Sequence, residues 1–198
     1  MIKINIEKLA NKNLTKNLIA DYKPFTMVDG EGIRCALYVS GCPLACKGCY
    51  NKSIQDFSVG TPYTQELEDK IIEDLSHDYV QGLTLLGGEP FMNPTVSLRL
   101  IRRVRDEFGN SKDIWCWTGF TWEEIHESLI SGGLAGQMRK QMLEEIDVLV
   151  DGRYIEEQEG WSSGKIKFRG SWNQRIISVK ESKENNEIIL LEHYMNQE

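Results

Sequence analysis

The sequence predicts an α/β fold built on a mostly parallel sheet, and three observations carry that expectation. Strand-like and helix-like apolar patterns alternate along most of the 198 residues, which is the signature of successive strand–helix–strand units. Hydrophobic residues make up 40% of the chain and charged residues 27%, a balance that suits a globular body and argues against disorder or a collagen-like repeat. The length is enough for one domain with its own core and too little for two comfortable ones.

The elements follow in order. Ile2, Ile4 and Ile6 alternate with polar residues, as in a short half-buried strand, and Ala36 to Ser40 forms a second strand-like run before Gly41. Thr64 is placed to cap a helix whose Leu67, Ile71, Ile72 and Leu75 share one face. The apolar run from Leu83 to Leu86 is stopped by Gly87-Gly88, and a helix is expected from about Pro94 to Phe108, carrying Val96, Leu100, Ile101, Val104 and Phe108. Ile114 to Trp117 reads as another strand. Thr121-Trp122-Glu123-Glu124 has the spacing of a capping box at the start of a helix that ends before Gly132-Gly133. A further helix around Gln137 to Ile146 leads into the short buried strand Val148-Leu149-Val150. From Trp161 to Arg175 aromatic, glycine and basic residues dominate, followed by the apolar runs Ile176 to Val179 and Ile188 to Leu191. Parallel strands joined by right-handed crossovers are the natural architecture, with ligands at the carboxyl ends of the strands.

Charge and apolar runs exclude several partners. Lysine plus arginine number 23 against 30 aspartate plus glutamate, a formal charge of -7, which disfavours a nonspecific grip on nucleic acid. The opening residues lack the continuous apolar core of a secretory signal, and no run approaches the ~20 apolar residues that span a bilayer. No membrane partner is expected, and the cytoplasm is the expected location, where clustered thiols bind metal or do chemistry more often than they form disulfides.

The five cysteines are the informative count, because an odd number cannot all pair internally. Cys42-Pro43-Leu44-Ala45-Cys46-Lys47-Gly48-Cys49 places three of them on one loop leaving the second strand. Thiolates are soft ligands that suit zinc or an iron–sulfur cluster. Structural zinc wants four closed ligands, usually as two separated pairs, and only Cys35 and the distant Cys116 remain. A ferredoxin-like carrier needs a fourth cysteine per cluster in a run that is absent here. Three ligands on a four-iron cluster leave one iron open, and an open site is a mark of chemistry rather than scaffolding.

The spacing C-x3-C-x2-C is the cluster motif of radical S-adenosylmethionine enzymes, and the chain resembles that family further along. Thr84-Leu85-Leu86-Gly87-Gly88-Glu89-Pro90 looks like its GGEP element at the end of a strand. Physically, two glycines let backbone approach a ligand without a Cβ in the way, and the proline stops further strand pairing. Val28-Asp29-Gly30-Glu31-Gly32-Ile33-Arg34, Val39-Ser40-Gly41-Cys42, Gly48-Cys49-Tyr50-Asn51, Asp113-Ile114-Trp115, Trp117-Thr118-Gly119-Phe120, Asp147-Val148-Leu149-Val150-Asp151-Gly152, Phe168-Arg169-Gly170-Ser171 and Asn173-Gln174-Arg175 resemble, in order, the glycyl-radical activating enzymes that serve anaerobic ribonucleoside-triphosphate reductases. These segments run from about residue 22 to 178.

That resemblance implies an incomplete β/α barrel of the radical S-adenosylmethionine type, with residues 1–198 as a single domain. Its core would span about 22–180, flanked by an N-terminal strand and a C-terminal extension. It implies a [4Fe-4S] cluster and S-adenosylmethionine as cofactors, the reductase as protein substrate, and a reductant such as flavodoxin or ferredoxin. The reduced cluster would give one electron to the sulfonium, releasing methionine and a 5′-deoxyadenosyl radical that takes a hydrogen atom from a glycine of the reductase. By resemblance Cys42, Cys46 and Cys49 bind the cluster, Gly48, Cys49 and Tyr50 line the adenosyl side, and Gly87, Gly88 and Glu89 hold the methionine side. The cofactors carry the chemistry, so no side chain is nominated as acid, base or nucleophile. Gly48 stands where most of the wider superfamily has an aromatic residue, with Tyr50 just after the third cysteine, an arrangement the narrower group shares. Leu86 stands where relatives often have serine. The residues around Ser131 to Arg139 and the tail after Lys180 have no assigned counterpart.

Two other readings stay open: an activase of another glycyl-radical enzyme such as pyruvate formate-lyase, and a noncatalytic zinc or iron–sulfur binding module. The short chain and the segment Asp147 to Gly152 favour the reductase. Gly30-Glu31-Gly32 begins like a dinucleotide fingerprint, but Cys35 takes the place of its third glycine. Cys35 and Cys116 read as buried structural thiols, and His77, His126 and His193 as solvated. Asp29, Arg34, Asp151 and Arg169 either shape a channel for the partner's glycine loop or serve as turn and salt-bridge residues.

Overall fold

The computed structural model describes residues 15–195 together with Ile6 and Lys8. Of the N-terminal strand expected from alternating isoleucines, Ile2 and Ile4 lie outside the described residues, and Ile6 is helical and packs against the core instead of being extended.

Seven strands form one sheet in the order β3-β1-β2-β4-β5-β6-β7: β1 Leu18–Thr26, β2 Ile33–Val39, β3 Thr61–Pro62, β4 Val80–Gly87, β5 Asp113–Trp117, β6 Val148–Asp151 and β7 Arg175–Ser178. The central pairs β2–β4, β4–β5 and β5–β6 are parallel. The flanking pairs β1–β2, β1–β3 and β6–β7 are antiparallel, so the expected mostly parallel sheet holds for the centre and is corrected at both flanks. β3 and β7 stand at opposite ends and the sheet does not close. β1 has no counterpart among the sequence-predicted elements. Its Pro24 falls where the β1–β2 register slips between Lys23 and Thr26, the kind of irregular position at which a strand tolerates proline. Of the two late apolar runs, the first becomes β7, while the second makes only the isolated bridge of Leu190 to Ile177.

The crossovers lie where the apolar periodicity puts them. α1 Gln65–Leu75 is capped by the Thr64 side chain, which accepts from Leu67 N, and α2 Pro94–Phe108 matches its predicted bounds. Thr121 and Glu124 form a full capping box at α3 Trp122–Glu124, which continues as a π-helical turn, Ile125–Leu129. α4 Gly133–Glu145 starts four residues before the expected helix. α5 Val179–Asn185 and α6 Glu192–Met195 follow β7 among the described residues.

Alternation along the strands sorts the two faces. Cys35, Leu37, Val39, Leu83, Leu85, Ile114, Cys116 and Leu149 meet the apolar faces of α1 to α4 in the main core. On the opposite face Trp115, Val150 and Ile176 are covered by Phe168 and by Tyr194 of α6, while Ala36, Tyr38 and Leu86 form a separate cluster with Trp117. Arg34, fully buried, pins three strands together: its Nε donates to Thr84 Oγ1 at 2.8 Å, its Nη2 to Leu83 O at 2.7 Å, and it pairs with Asp113 at 2.5 Å. Its guanidinium also lies 5.3 Å from the Trp115 ring.

Candidate active site

The carboxyl ends of β2, β4, β5 and β6 release four loops on one edge of the sheet, where an open α/β sheet ordinarily takes its ligands. The first loop carries the three clustered cysteines and the second the Gly87-Gly88-Glu89 turn. They are stitched together by backbone: Gly88 N donates to Val39 O and Glu89 N to Gly41 O, both at 2.8 Å. A Cβ on Gly88 would sit 2.4 Å from Gly41 O, so the close approach itself requires glycine there. Asn51 Nδ2 adds a 3.3 Å bond to Gly87 O from the far side of the cysteine loop.

Cys42, Cys46 and Cys49 are half-buried, in contrast to the fully buried Cys35 and Cys116, and none of the five is in a disulfide. Ala45 with φ 49° and Gly48 with φ 69° turn the loop back on itself, and Cys49 N closes a turn onto Cys46 O at 3.3 Å. A Cβ on Gly48 would meet Glu156 Oε1 at 2.6 Å, and Lys47 pairs with Glu156 at 2.6 Å and Glu157 at 3.3 Å. The loop after β6 therefore touches the cysteine loop at Lys47 and Gly48. Burial pushes the Cys42 thiol up, with the nearby Glu89 charge adding to the effect. Burial also raises Cys46, opposed by the Tyr154 backbone and the Arg153 charge. Thiols held up in this way lose their protons when a cationic iron centre replaces them.

The donor set fits an iron–sulfur cluster. Three half-buried thiols on one loop, none of them in a disulfide, are soft donors of the kind such a cluster takes. Cys35 donates its S–H to Pro24 O at 3.0 Å, and Cys116 lies beneath the sheet in the main core.

Glu89 is placed differently from a ligand-facing carboxylate. It is 0% exposed and turned onto its own chain: Oε1 accepts from Phe91 N at 3.1 Å and Thr118 Oγ1 at 2.8 Å, and Oε2 from Gly119 N at 2.8 Å. Burial lifts its pKa to about 7 against the pull of these three donors. Glu89 thus ties the second loop to the third. Thr118 and Gly119 were not nominated from the sequence, although Trp117-Thr118-Gly119-Phe120 carried part of the resemblance; a carboxylate with three backbone-positioned donors has no linear spacing that announces it. Tyr50 is 100% exposed beside the loop, and Leu86 is buried in the apolar cluster with Ala36 and Tyr38.

Asp29, Arg34, Asp151 and Arg169 all find partners within the chain. Asp29 Oδ2 accepts from Thr26 and Tyr38 hydroxyls at 3.0 Å. Asp151 holds Arg175 at 2.5 Å and Trp122 N at 2.7 Å. Arg169 donates to the carbonyls of Gln174 and Met195 at 3.0 and 3.1 Å. The three histidines are exposed.

The family described as "4Fe-4S single cluster domain" matches residues 28–177. The anaerobic ribonucleoside-triphosphate reductase-activating protein of Vibrio cholerae is 45% identical over 159 residues, covering 78% of this chain and 94% of that protein. The protein of the same name from Escherichia coli K12 is 41% identical over 163 residues, 80% of this chain and 97% of its own, and that of phage T4 is 36% identical over 157 residues, 78% and 90%. The chain belongs to the family of anaerobic ribonucleoside-triphosphate reductase-activating proteins, with a 4Fe-4S cluster domain.

Proposed function

We propose that the chain activates an anaerobic ribonucleoside-triphosphate reductase, with Cys42, Cys46 and Cys49 holding a [4Fe-4S] cluster whose open iron binds S-adenosylmethionine. When bound, the reduced cluster would supply one electron to the sulfonium of S-adenosylmethionine, giving methionine and a 5′-deoxyadenosyl radical able to take a hydrogen atom from a glycine of the reductase. The observation that carries this reading is the backbone junction of Gly88 and Glu89 with Val39 and Gly41. It holds the Gly87-Gly88 backbone against the start of the loop that carries the three thiols, which supports reading the two as one cofactor site.

The remaining roles are those of orientation. Gly87 and Gly88 present backbone to the methionine moiety, and Glu89 holds that turn through Thr118 and Gly119. Gly48, Cys49 and the exposed Tyr50 border the adenosyl side, and the loop bearing Glu156 braces the cysteine loop at Lys47 and Gly48. We read the unclosed sheet as an incomplete barrel, open on one side to a protein substrate, and residues 1–198 as one radical S-adenosylmethionine domain working in the cytoplasm with a flavodoxin- or ferredoxin-like reductant. Among the described residues no helix is long and apolar enough to cross a membrane.

Anaerobic reconstitution tests the reading. The protein is expected to take up about four irons per chain and, when reduced, to convert S-adenosylmethionine to 5′-deoxyadenosine. Zinc without iron, or a cluster that leaves S-adenosylmethionine intact, would instead establish a noncatalytic module.

A further inference from the structure

Arg139 is 1% exposed, one of the largest fully buried side chains of the molecule, and stands on α4 against the turn that follows Glu89. Its Nε donates to Phe91 O at 2.7 Å and its Nη1 to Leu129 O at 3.2 Å. Leu129 ends the π-helical turn, where carbonyls lack helical partners. Burial opposes the guanidinium's charge, and the Glu89 carboxylate favours it. An apolar side chain of similar length could pack α4 without desolvating a cation, so packing alone does not call for arginine here.

Phe91 explains the choice. Its carbonyl accepts from Arg139 while its N–H donates to Glu89 Oε1, and Glu89 goes on to Thr118 and Gly119. A continuous line of buried hydrogen bonds thus runs from α4 through the turn to the end of β5. We propose that Arg139 is a positioning residue for S-adenosylmethionine: by holding the Phe91 carbonyl it fixes the backbone of Gly87 to Glu89 against the cysteine loop. The proposal rests on the reading of Gly87 to Glu89 as the methionine-side contact.

The test compares Arg139→Met and Arg139→Lys with Arg102→Met, a change at an exposed arginine on neighbouring α2 that bonds Gln141 of α4, all in anaerobically reconstituted full-length protein. In Arg139→Met, iron content and the EPR signal of the reduced cluster without S-adenosylmethionine are expected to stay as in the wild type. The Kd for S-adenosylmethionine by equilibrium dialysis and the KM for its cleavage are expected to rise about tenfold, the scale of one lost hydrogen bond to a charged group. The kcat changes less than KM. Arg139→Lys, which keeps a donor, falls between, and Arg102→Met matches wild type. Native iron content with unchanged affinity in Arg139→Met overturns the proposal, as does an equal loss in Arg102→Met. If Arg139→Met does not accumulate, Arg139→Lys decides: weakened affinity supports the role and wild-type affinity overturns it. A wild-type protein that carries iron yet binds no S-adenosylmethionine overturns the functional reading itself, before any variant is compared, and the proposal with it.

Discussion

Five cysteines that are equal in composition have unequal surroundings. Cys35 spends its proton on Pro24 O, and burial lifts its pKa to about 11, while Cys116 sits in the main core at 0% exposure. Cys42, Cys46 and Cys49 are the half-buried set on a loop that reverses twice. Replacing any of Cys42, Cys46 or Cys49 by alanine is expected to abolish iron retention and S-adenosylmethionine cleavage. Cys116→Ala keeps both and lowers stability by ~1 kcal/mol for its lost buried volume. Iron analysis and 5′-deoxyadenosine yield read the outcome, and equal loss in all four variants would contradict the assignment. The buried placement of Cys35 and Cys116 and the clustering of the other three on one loop were legible in the sequence. Glu89 was legible only as part of a motif, because its inward turn depends on Thr118 and Gly119, which reach it through the parallel pairing of β4 with β5. Glu89→Gln would set an amide N–H2 against these donors, and a loss of about 1–3 kcal/mol is expected in urea unfolding; an unchanged midpoint would rule out the inward carboxylate as a tie.

Among elements, those whose signal is local were readable. α2 carries an unbroken apolar stripe and a proline at its start, and α3 a capping box; both stand where the residues place them. β1 was not legible because Pro24 and the charged Asp21 and Lys23 interrupt any apolar run, although it pairs with the next strand of the chain. The contact of β6 and β7 was also invisible locally. There Arg175 joins Asp151 on β6 to Glu123 on α3. The Arg175 hydrogen bond holds the Glu123 carboxyl at about 2, so its contribution is present above the ordinary carboxylate range near 4.5 and is lost as pH falls towards 2. Glu123 is half-exposed, which limits this share to less than about 1 kcal/mol. Arg175→Met also strands the buried Asp151, and a total loss of ~3 kcal/mol at neutral pH is expected, with a flatter acid limb between pH 4.5 and 2 in thermal unfolding. A wild-type limb in that variant would place the stabilisation elsewhere.

For the whole molecule, alternation of strands and helices was enough to anticipate a parallel centre, and could not reveal antiparallel flanks or an unclosed sheet, which are set by β1, β3 and β7. The face opposite α1 to α4 is covered by residues distant in sequence, chiefly Phe168 and, from α6, Tyr194 over Trp115, and Tyr194 also reaches Glu31 in the loop before β2. Tyr194→Ala is expected to cost ~3 kcal/mol by leaving an aromatic-sized hole, lowering the midpoint of a single unfolding transition. Two separate transitions would contradict the proposed single domain. The central claim concerns a radical handed to another protein, and one measurement reaches it most directly: reduced, iron-loaded protein mixed anaerobically with S-adenosylmethionine and a competent anaerobic ribonucleoside-triphosphate reductase, observed by EPR. The account predicts a glycyl-radical signal on the reductase that needs all three components. A competent reductase that remains EPR-silent while S-adenosylmethionine is cleaved would contradict it.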